Sequence, residues 1–208
     1  MTIATGRPGR GEVTRERILD AAETLFANLS FAAARLEDVA QAVGIRRASI
    51  VYYFRNKQEL YEAMEGRLFE ALEEECRRRL AGCHSALERI EALADAWLHF
   101  MVARPSAARL ILRNCADVYP GGPDPVQFSR SALDSWDEAV RAGVAAGEFA
   151  EVSPVQLMQL CGGGILLFAS SGQLLGPVRN YEPTEDATFS AFRTNLHRAL
   201  RALLRPVD

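Results

Sequence analysis

The chain has 208 residues, of which 49% are hydrophobic and 25% are charged, and its formal net charge is −3. This composition is ordinary for a soluble globular protein with a substantial core in one or two closely packed domains. Because no apolar run reaches the roughly 18 residues of a membrane span and no signal peptide is visible, we expect a cytoplasmic protein that does not contact a membrane.

Residues 1–13 are rich in glycine and arginine and show no helical period, so they are predicted to form a mobile arm. Arg7 or Arg10 of such an arm could reach a minor groove of DNA, although a tail with no role is the simpler interpretation. The first helix is predicted from Thr14 to Leu29, with Thr14 as its N-cap. Its apolar stripe would hold the following helices in place.

Two short helices around a tight turn are predicted within residues 36–57, LEDVAQAVGIRRASIVYYFRNK. Apolar residues recur at helical spacing from Leu36 to Val43, and Gly44 follows where a left-handed residue usually ends a helix. A second helix is predicted to begin near Arg47, with Ile50 turned towards the core. This is the pattern of a helix-turn-helix, whose second helix can enter a major groove.

The second predicted helix and its flanks are positively charged. The segment from residue 44 to residue 57 contains no acid and four cations, namely Arg46, Arg47, Arg55 and Lys57. A local positive surface on an acidic protein indicates a polyanionic partner. The alternative is a solvent-exposed helix pair whose charge arose by chance.

This stretch and the helix before it resemble the DNA-binding domain of TetR-family transcriptional regulators. The resemblance is carried by TRERILDAAETLF at residues 14–26, LEDVAQAVGI at 36–45 and YYFRNKQEL at 52–60. It covers residues 14–62 without a gap, and beyond residue 65 only the length and the helical pattern agree. It implies an all-α protein with an N-terminal three-helix DNA-binding domain, residues 14–62, and a C-terminal helical bundle for ligand binding and dimerisation, residues 63–208.

Three positions depart from the residues that the family usually has. Ser30 stands where a glycine usually follows the first helix, and Val51 stands where a tyrosine is common. Tyr52 is expected to take over the phosphate contact that a tyrosine at position 51 would make. Arg35 stands at the N-cap of the second helix, where it loses the side-chain cap of a threonine or serine but could itself reach a phosphate.

The resemblance and the charge pattern together predict how double-stranded DNA is bound. The predicted DNA-binding residues are Arg35, Arg46, Arg47, Ala48, Ser49, Tyr52, Tyr53 and Lys57. The side chains that would read base edges or nearby phosphates are Arg46, Arg47, Ser49 and Tyr52. Their base contacts would set the DNA sequence that is chosen. Arg35, Tyr53 and Lys57 would hold the DNA backbone, Lys57 at a helix N-terminus where backbone N–H groups favour a phosphate.

From residue 58 onward the sequence predicts one helix after another and no convincing strand. A long helix from Gln58 to about Gly82 would leave the DNA-binding domain and enter the rest of the protein. A tilt at its far end would therefore move the recognition helix.

The last two predicted helices, at residues 156–175 and 184–204, are the predicted homodimer interface. The first is apolar nearly all round and contains glycines 162–164, which would let a second backbone cross closely. The second carries an apolar stripe of Phe189, Phe192, Leu196, Leu200 and Leu203. TetR-like proteins usually dimerise there, and a two-fold dimer would require a near-palindromic operator with half-sites ~34–36 Å apart. The alternative is a plain core within one chain.

A small-molecule effector inside the C-terminal bundle is implied by the resemblance. The predicted lining residues are Trp97, Phe100, Met101, Leu112, Phe128, Trp136 and Phe168. Their mixture indicates a mostly apolar effector. Each of these side chains is equally at home in an ordinary core.

Sequence motifs of several enzyme classes are missing. Neither Gly-x-x-x-x-Gly-Lys-Ser/Thr nor Gly-x-Ser-x-Gly occurs, and Cys83-His84 lacks the paired spacing of a zinc site, so we expect no catalysis, metal or cofactor. The four cysteines, Cys76, Cys83, Cys115 and Cys161, are predicted to be reduced core thiols. The sequence thus predicts a transcriptional regulator, by family default a repressor that an effector releases from DNA. The alternatives are a helical bundle that binds a ligand or a protein without specific DNA binding, and an enzyme.

Overall fold

The computed structural model describes residues 9–117, 130–171 and 181–206, and these residues are all-α, as predicted. No strand occurs among them. The helices are α1 (Arg10–Asn28), α2 (Leu36–Val43), α3 (Arg47–Tyr53), α4 (Lys57–Leu80), α5 (Ala86–Ala103), α6 (Pro105–Asp117), α7 (Arg130–Ala145), α8 (Pro154–Ser170) and α9 (Asp186–Leu204). None of these described helices is long and apolar enough to cross a membrane.

The chain divides into two compact units, Met1–Leu68 and Phe69–Asp208. This division lies within α4, as does the predicted domain boundary between residues 62 and 63, which stays a prediction. Helix α1 begins at Arg10 rather than at Thr14, so residues 10–13 of the predicted mobile arm are helical. The arm over residues 1–8 lies outside the described part of the chain.

In the first unit, α1 is fastened to α4 by apolar packing and by one arginine. Phe26 of α1 is buried and meets the ring of Tyr61 edge-on, with the centroids 4.9 Å apart. Arg67 of α4 lies 2.8 Å from the Asp20 carboxylate and 3.4 Å from the carboxylate of Glu23, which is buried. Because a buried carboxylate is costly without a cation beside it, this arginine ties the two helices together.

Helix α5 is the central helix of the second unit and contacts α6, α7, α8 and α9. It begins with a capping box, in which the Ser85 hydroxyl accepts from the Glu88 N–H at 3.1 Å and the Glu88 carboxylate accepts from the Ser85 N–H at 3.1 Å. Apolar side chains are buried on nearly all of its sides, including Leu93 and Trp97. A helix that is apolar all round must have neighbours all round, which explains its central position.

One charged cluster joins α5 to α9. Asp95, which is buried, accepts from Arg193 Nε at 2.8 Å and lies 2.8 Å from His197 Nε2, while Glu91 accepts from Arg201 Nε at 2.6 Å. Burial opposes ionisation of Asp95, but the bonds from Arg193 and His197 outweigh it and hold the pKa of Asp95 below its usual value. The cluster fixes the side of α9 that faces the chain's own core.

Most of the apolar stripe predicted on the last helix packs against this core, and its part in a dimer interface stays a prediction. Leu196 and Leu200 are buried within the chain. Phe192 stacks on Phe168 of α8 with ring centroids 4.0 Å apart, and Phe189 meets His99. Leu203 alone in the stripe is exposed to a large extent, at 45%.

The cysteines are free thiols, and only two of the four are core residues. Cys76 and Cys161 are buried, and burial raises the pKa of each thiol to about 11. Cys83 is half-buried and Cys115 is exposed, so the prediction of four core thiols is wrong for these two. Both lie at or beyond helix ends, where fewer neighbours cover a side chain.

Candidate DNA-binding surface and ligand cavity

Helices α2 and α3 are joined by the tight turn that the sequence predicts. Gly44 ends α2 with a φ of +76°, and the Ile45 N–H donates to the Ala40 carbonyl at 3.0 Å. A left-handed φ strains any residue with a β-carbon, so this position favours glycine. Arg17 of α1 donates to the Val43 carbonyl at 2.9 Å and occupies an acceptor at the end of α2. The turn is thereby fixed from both sides.

The N-terminus of α2 is capped by an acid and not by the residue at the N-cap position. Arg35 makes no side-chain cap, as expected, because a guanidinium has no acceptor. Instead the Arg35 N–H donates to Asp38 Oδ2 at 3.2 Å. The Arg35 side chain is exposed beside this helix end.

Helix α3 presents almost its whole surface to solvent. It buries Ile50 alone, and Phe54 just beyond its end is also buried. Tyr52 is 84% exposed and Val51 is 41% exposed, while Ser49 and Tyr53 are half-buried. The remaining predicted DNA-binding residues of this region, Arg46, Arg47 and Ala48, are exposed. A seven-residue helix anchored by two apolar side chains leaves its other faces open for a partner.

Arg47 is held by an acid that sequence analysis missed. Its Nε lies 2.8 Å from Glu37 Oε1 of α2, and both side chains are more than half exposed. The two residues are ten positions apart, on different helices, so no helical spacing connects them. Only the angle that the Gly44 turn imposes brings them together.

Lys57 has a structural task within the first unit. Its Nζ donates to the carbonyls of Phe31 at 2.6 Å, of Ala34 at 3.1 Å and of Ala32 at 3.4 Å, and it lies 4.4 Å from the centre of the Phe31 ring. An ammonium has three N–H groups, and these carbonyls can take all of them. Lys57 therefore fastens the α1–α2 connection to the start of α4, and its predicted phosphate contact stays a prediction.

The positive surface is smaller than the sequence suggests. Of the four cations between residues 44 and 57, Arg47 is paired with Glu37 and Lys57 is engaged by carbonyls. The side chains of Arg46 and Arg55 are exposed and form no ion pair with any described residue. These two, with Arg35, are the cations most available to a phosphate.

A cavity of about 300 Å³ lies within the second unit. Its walls come from α5, α6 and α8, and the lining residues are Trp97, Leu112, Cys115, Met158, Gln159, Gly162, Gly163 and Leu166. None of these residues is charged, and only Gln159 offers an amide. A β-carbon added to Gly162 would lie 3.6 Å from Trp97 Cζ3, so the glycine adds room beside the indole. The cavity suits a compact, mostly apolar molecule.

Two of the residues predicted to bind a ligand, Trp97 and Leu112, line this cavity. Met101, Trp136 and Phe168 are buried elsewhere in the core. The other two differ: Phe100 is half-buried with the Arg104 guanidinium 6.0 Å from its ring centre, and Phe128 lies outside the described residues. A ligand contact by any of these five stays a prediction. Sequence analysis missed the lining residues of α8, because glycine and methionine carry no distinctive signal.

The outward side of α8 is apolar and exposed in the single chain. Leu160 is 64% exposed and Leu167 is 60% exposed, two helical turns apart on the same side. Gly163, which also borders the cavity, lies between them, and a β-carbon added there would meet nothing within 4 Å. This surface is called the α8 face below.

Among the described residues, no group of three or more His, Cys, Asp or Glu side chains is arranged to hold a metal ion.

The first unit is similar to a known family of DNA-binding domains. The model of the bacterial regulatory proteins of the tetR family matches residues 18–64, a span that contains every position from Arg35 to Lys57 discussed above. IcaR of Staphylococcus aureus (strain Newman), the HTH-type negative transcriptional regulator of the biofilm operon icaADBC, is 38% identical over 48 residues. That match covers 23% of this chain and 26% of IcaR.

Other proteins are similar along nearly the whole chain. The HTH-type transcriptional regulator RutR of Escherichia coli (strain K12) is 26% identical, over 97% of this chain and 96% of RutR. The crystal structure of FadR from Bacillus subtilis in complex with stearoyl-CoA superimposes with a TM-score of 0.68 at 15% identity, over 91% of this chain and 99% of FadR. The structural likeness shows a common fold.

Proposed function

We infer that the chain is a DNA-binding transcriptional regulator of the TetR family of bacterial regulatory proteins, and from this premise we propose that it is a homodimeric repressor that a small, mostly apolar effector releases from a palindromic operator. The observation that carries the proposal is the exposed α3, held by the Gly44 turn with only Ile50 buried. A helix presented in this way can enter a major groove. We propose that the protein acts in the cytoplasm and without catalysis.

In this proposal the exposed residues of α3 and of the segments beside it contact different parts of the DNA. Arg47 and Tyr52 reach base edges or nearby phosphates, with Arg46, Ala48 and Ser49 beside them. Arg35 and Arg55 hold the DNA backbone, because both are exposed at the borders of the motif. Phosphate contacts then set affinity and register, and base contacts set the sequence that is chosen.

The proposed dimer forms through the α8 face of two copies. Leu160 and Leu167 are large apolar side chains that water contacts in the single chain. Covering them with the same face of a second chain removes this apolar area from water and creates a two-fold interface. Two recognition helices related by this axis would read two half-sites about one DNA turn apart.

The proposed effector binds in the cavity beside Trp97. FadR, which shares the fold, was crystallised with stearoyl-CoA. The uncharged lining of the cavity in this chain favours a smaller and mostly apolar molecule over one that carries phosphates. Since α4 runs from Lys57 to Leu80 and belongs to both units, we propose that it transmits the change. An effector shifts the equilibrium only by its difference in affinity for the two states.

Repression is favoured over activation by the relative that is named a negative regulator. IcaR is similar to this chain over the DNA-binding segment, and a dimer seated on a palindrome can block transcription without a further partner. We therefore propose that the effector-free protein occupies its operator.

The decisive experiment is selection from a pool of random DNA duplexes with the purified full-length protein, at two salt concentrations. The proposal predicts an enriched palindrome whose half-sites lie ~10 base pairs apart, with affinity that falls as salt rises. Binding that fades with salt and enriches no sequence would contradict sequence-specific recognition. The enriched duplex then serves to find effectors by loss of binding.

A further inference from the structure

The Arg47–Glu37 ion pair bears on how the protein recognises a base of the DNA. Resting on the proposed function, we propose that Glu37 is a positioning residue for base recognition. It holds the Arg47 guanidinium through Nε, so that the terminal nitrogens of Arg47 are presented to the edge of a guanine. Glu37 would thus determine specificity at one base pair without touching the DNA itself.

The geometry of the pair supports this division of roles. The contact joins Nε of Arg47 to Oε1 of Glu37 at 2.8 Å. A guanidinium carries five N–H groups, and a guanine presents two acceptors, O6 and N7, that match its terminal nitrogens. A carboxylate on Nε therefore restricts the long side chain while N–H groups for a two-point contact remain. An arginine held in advance loses less conformational freedom when it binds.

Because the Arg47–Glu37 ion pair is exposed, its main effect is on the specificity of DNA binding and not on the stability of the fold. Both side chains are more than half exposed, at 61% and 58%. Such a pair contributes little to folding. At a DNA surface, however, an acid beside an arginine also opposes phosphates that approach in the wrong register. Removing it should loosen recognition and strengthen indiscriminate binding.

The test compares the base preferences of four proteins in the same random-duplex selection: wild type, Glu37→Ala, Glu37→Gln and Arg47→Ala. The position whose preference disappears in Arg47→Ala identifies the base that this arginine reads. The enriched wild-type duplex and its variants at that position are then used as probes. We expect the wild type to prefer guanine there by about 10- to 100-fold, the range of one good two-point contact.

In Glu37→Ala we expect that preference to fall below about 3-fold, while binding to unrelated duplex tightens. Glu37→Gln keeps the length and an acceptor oxygen and should recover part of the preference. Glu62→Ala removes the same charge from an exposed position of α4 and serves as the control, with preferences unchanged. Equal melting temperatures of all variants would exclude a merely structural effect.

Three results would overturn the inference. They are an unchanged preference in Glu37→Ala, an equal loss in Glu62→Ala, and no base position that depends on Arg47. An enriched palindrome accompanied by any of these leaves the proposed function standing and removes only the role of Glu37. Absence of any enriched sequence with the wild type would overturn both.

Discussion

The surface of α3 and the α8 face are both exposed in the single chain, but they are built from different side chains. The first carries arginines and Tyr52, which is 84% exposed, while the second carries Leu160 and Leu167 around a glycine. Exposing polar and aromatic groups to water between binding events costs little free energy. Exposing leucines costs more, so their surface is expected to be covered by a partner. In the proposed function, this contrast corresponds to a reversible partner, DNA, at α3 and a second copy of the chain at α8.

The largest expected effect follows from charging the α8 face. Leu160→Glu and Leu167→Glu each place a carboxylate where two copies would meet, and because both positions are exposed, the single chain should still fold. We expect dissociation into monomers and a loss of more than about 100-fold in affinity for the palindrome, since each half-site is then bound alone. Analytical ultracentrifugation and binding to the selected duplex measure the two effects.

Val144→Glu in α7 is the matched control for these variants. Val144 is also apolar and is 37% exposed, but it does not belong to the α8 face. It should remain dimeric and bind DNA as the wild type does. Dimers of normal affinity in both leucine variants would show that the copies meet elsewhere.

The next effect separates two cations that the sequence treats alike. Lys57→Met keeps the apolar stem over Phe31 but leaves three carbonyls without their charged donor. We expect the free energy of unfolding to fall by about 1.5–3 kcal/mol, with little change in the salt dependence of DNA binding. Urea denaturation and binding at several salt concentrations test this.

Arg55→Met is the comparison for Lys57→Met. The Arg55 side chain is exposed and pairs with no described acid, so its loss should leave stability within about 0.5 kcal/mol. It should flatten the salt slope by about one, as expected for one lost phosphate contact. The opposite pattern, with stability unchanged and the slope flattened in Lys57→Met, would restore Lys57 as a phosphate ligand.

Arg47 and Lys57 show how much could be predicted from the sequence. Helices α2 and α3 and the Gly44 turn follow from local signals, which are helical spacing and a left-handed stop, and they appear as predicted. The partners of Arg47 and Lys57 are 10 and about 25 residues away and arise from the packing of separate helices. No local pattern encodes such contacts. The sequence therefore predicts the positive charge of these two side chains, but not that neighbouring groups of the protein already engage it.

The second unit was harder to predict for a different reason. Apolar residues on a buried helix are alike whether they fill a core or line a cavity, and only the final packing distinguishes them. Thus Trp97 and Leu112 line the cavity while Trp136 and Phe168 do not. The same ambiguity affects the stripe of α9, most of which packs within the chain.

A smaller effect tests whether the two sides of α8 act separately. Gly162→Ala adds a methyl group beside Trp97 at an ordinary contact distance of 3.6 Å, so the chain can accept it. We expect about 1 kcal/mol of added stability from helix propensity and a several-fold weaker response to effector, with unchanged dimerisation. Gly66→Ala in α4, where the added carbon meets nothing within 4 Å, should give the stability without the altered response. An equal effector response in both variants would place the effector elsewhere.

The smallest expected effect concerns pH and the first unit alone. Burial raises the pKa of Glu65 to about 7, repulsion from Glu62 adds to this, and a hydrogen bond with Tyr61 opposes it. In the unfolded chain this carboxyl titrates near 4.3, so between that pH and about 7 the folded state binds more protons. Stability from this group is therefore fully present below pH ~4.3 and is lost as pH rises through 7.

Glu65→Gln removes this titration and should flatten the fall in stability between pH 5 and pH 8. The expected difference from the wild type is about 0.5–1 kcal/mol, because partial exposure of Glu65 reduces the effect of its shifted pKa. Urea denaturation at both pH values measures it, with the exposed Glu70→Gln as control. Since the α8 face contains no ionisable group among its leucines and glycine, the dimer should not share this dependence. A dimer dissociation constant that changed over the same pH range, and did so only while Glu65 was present, would show that the two units are coupled through α4.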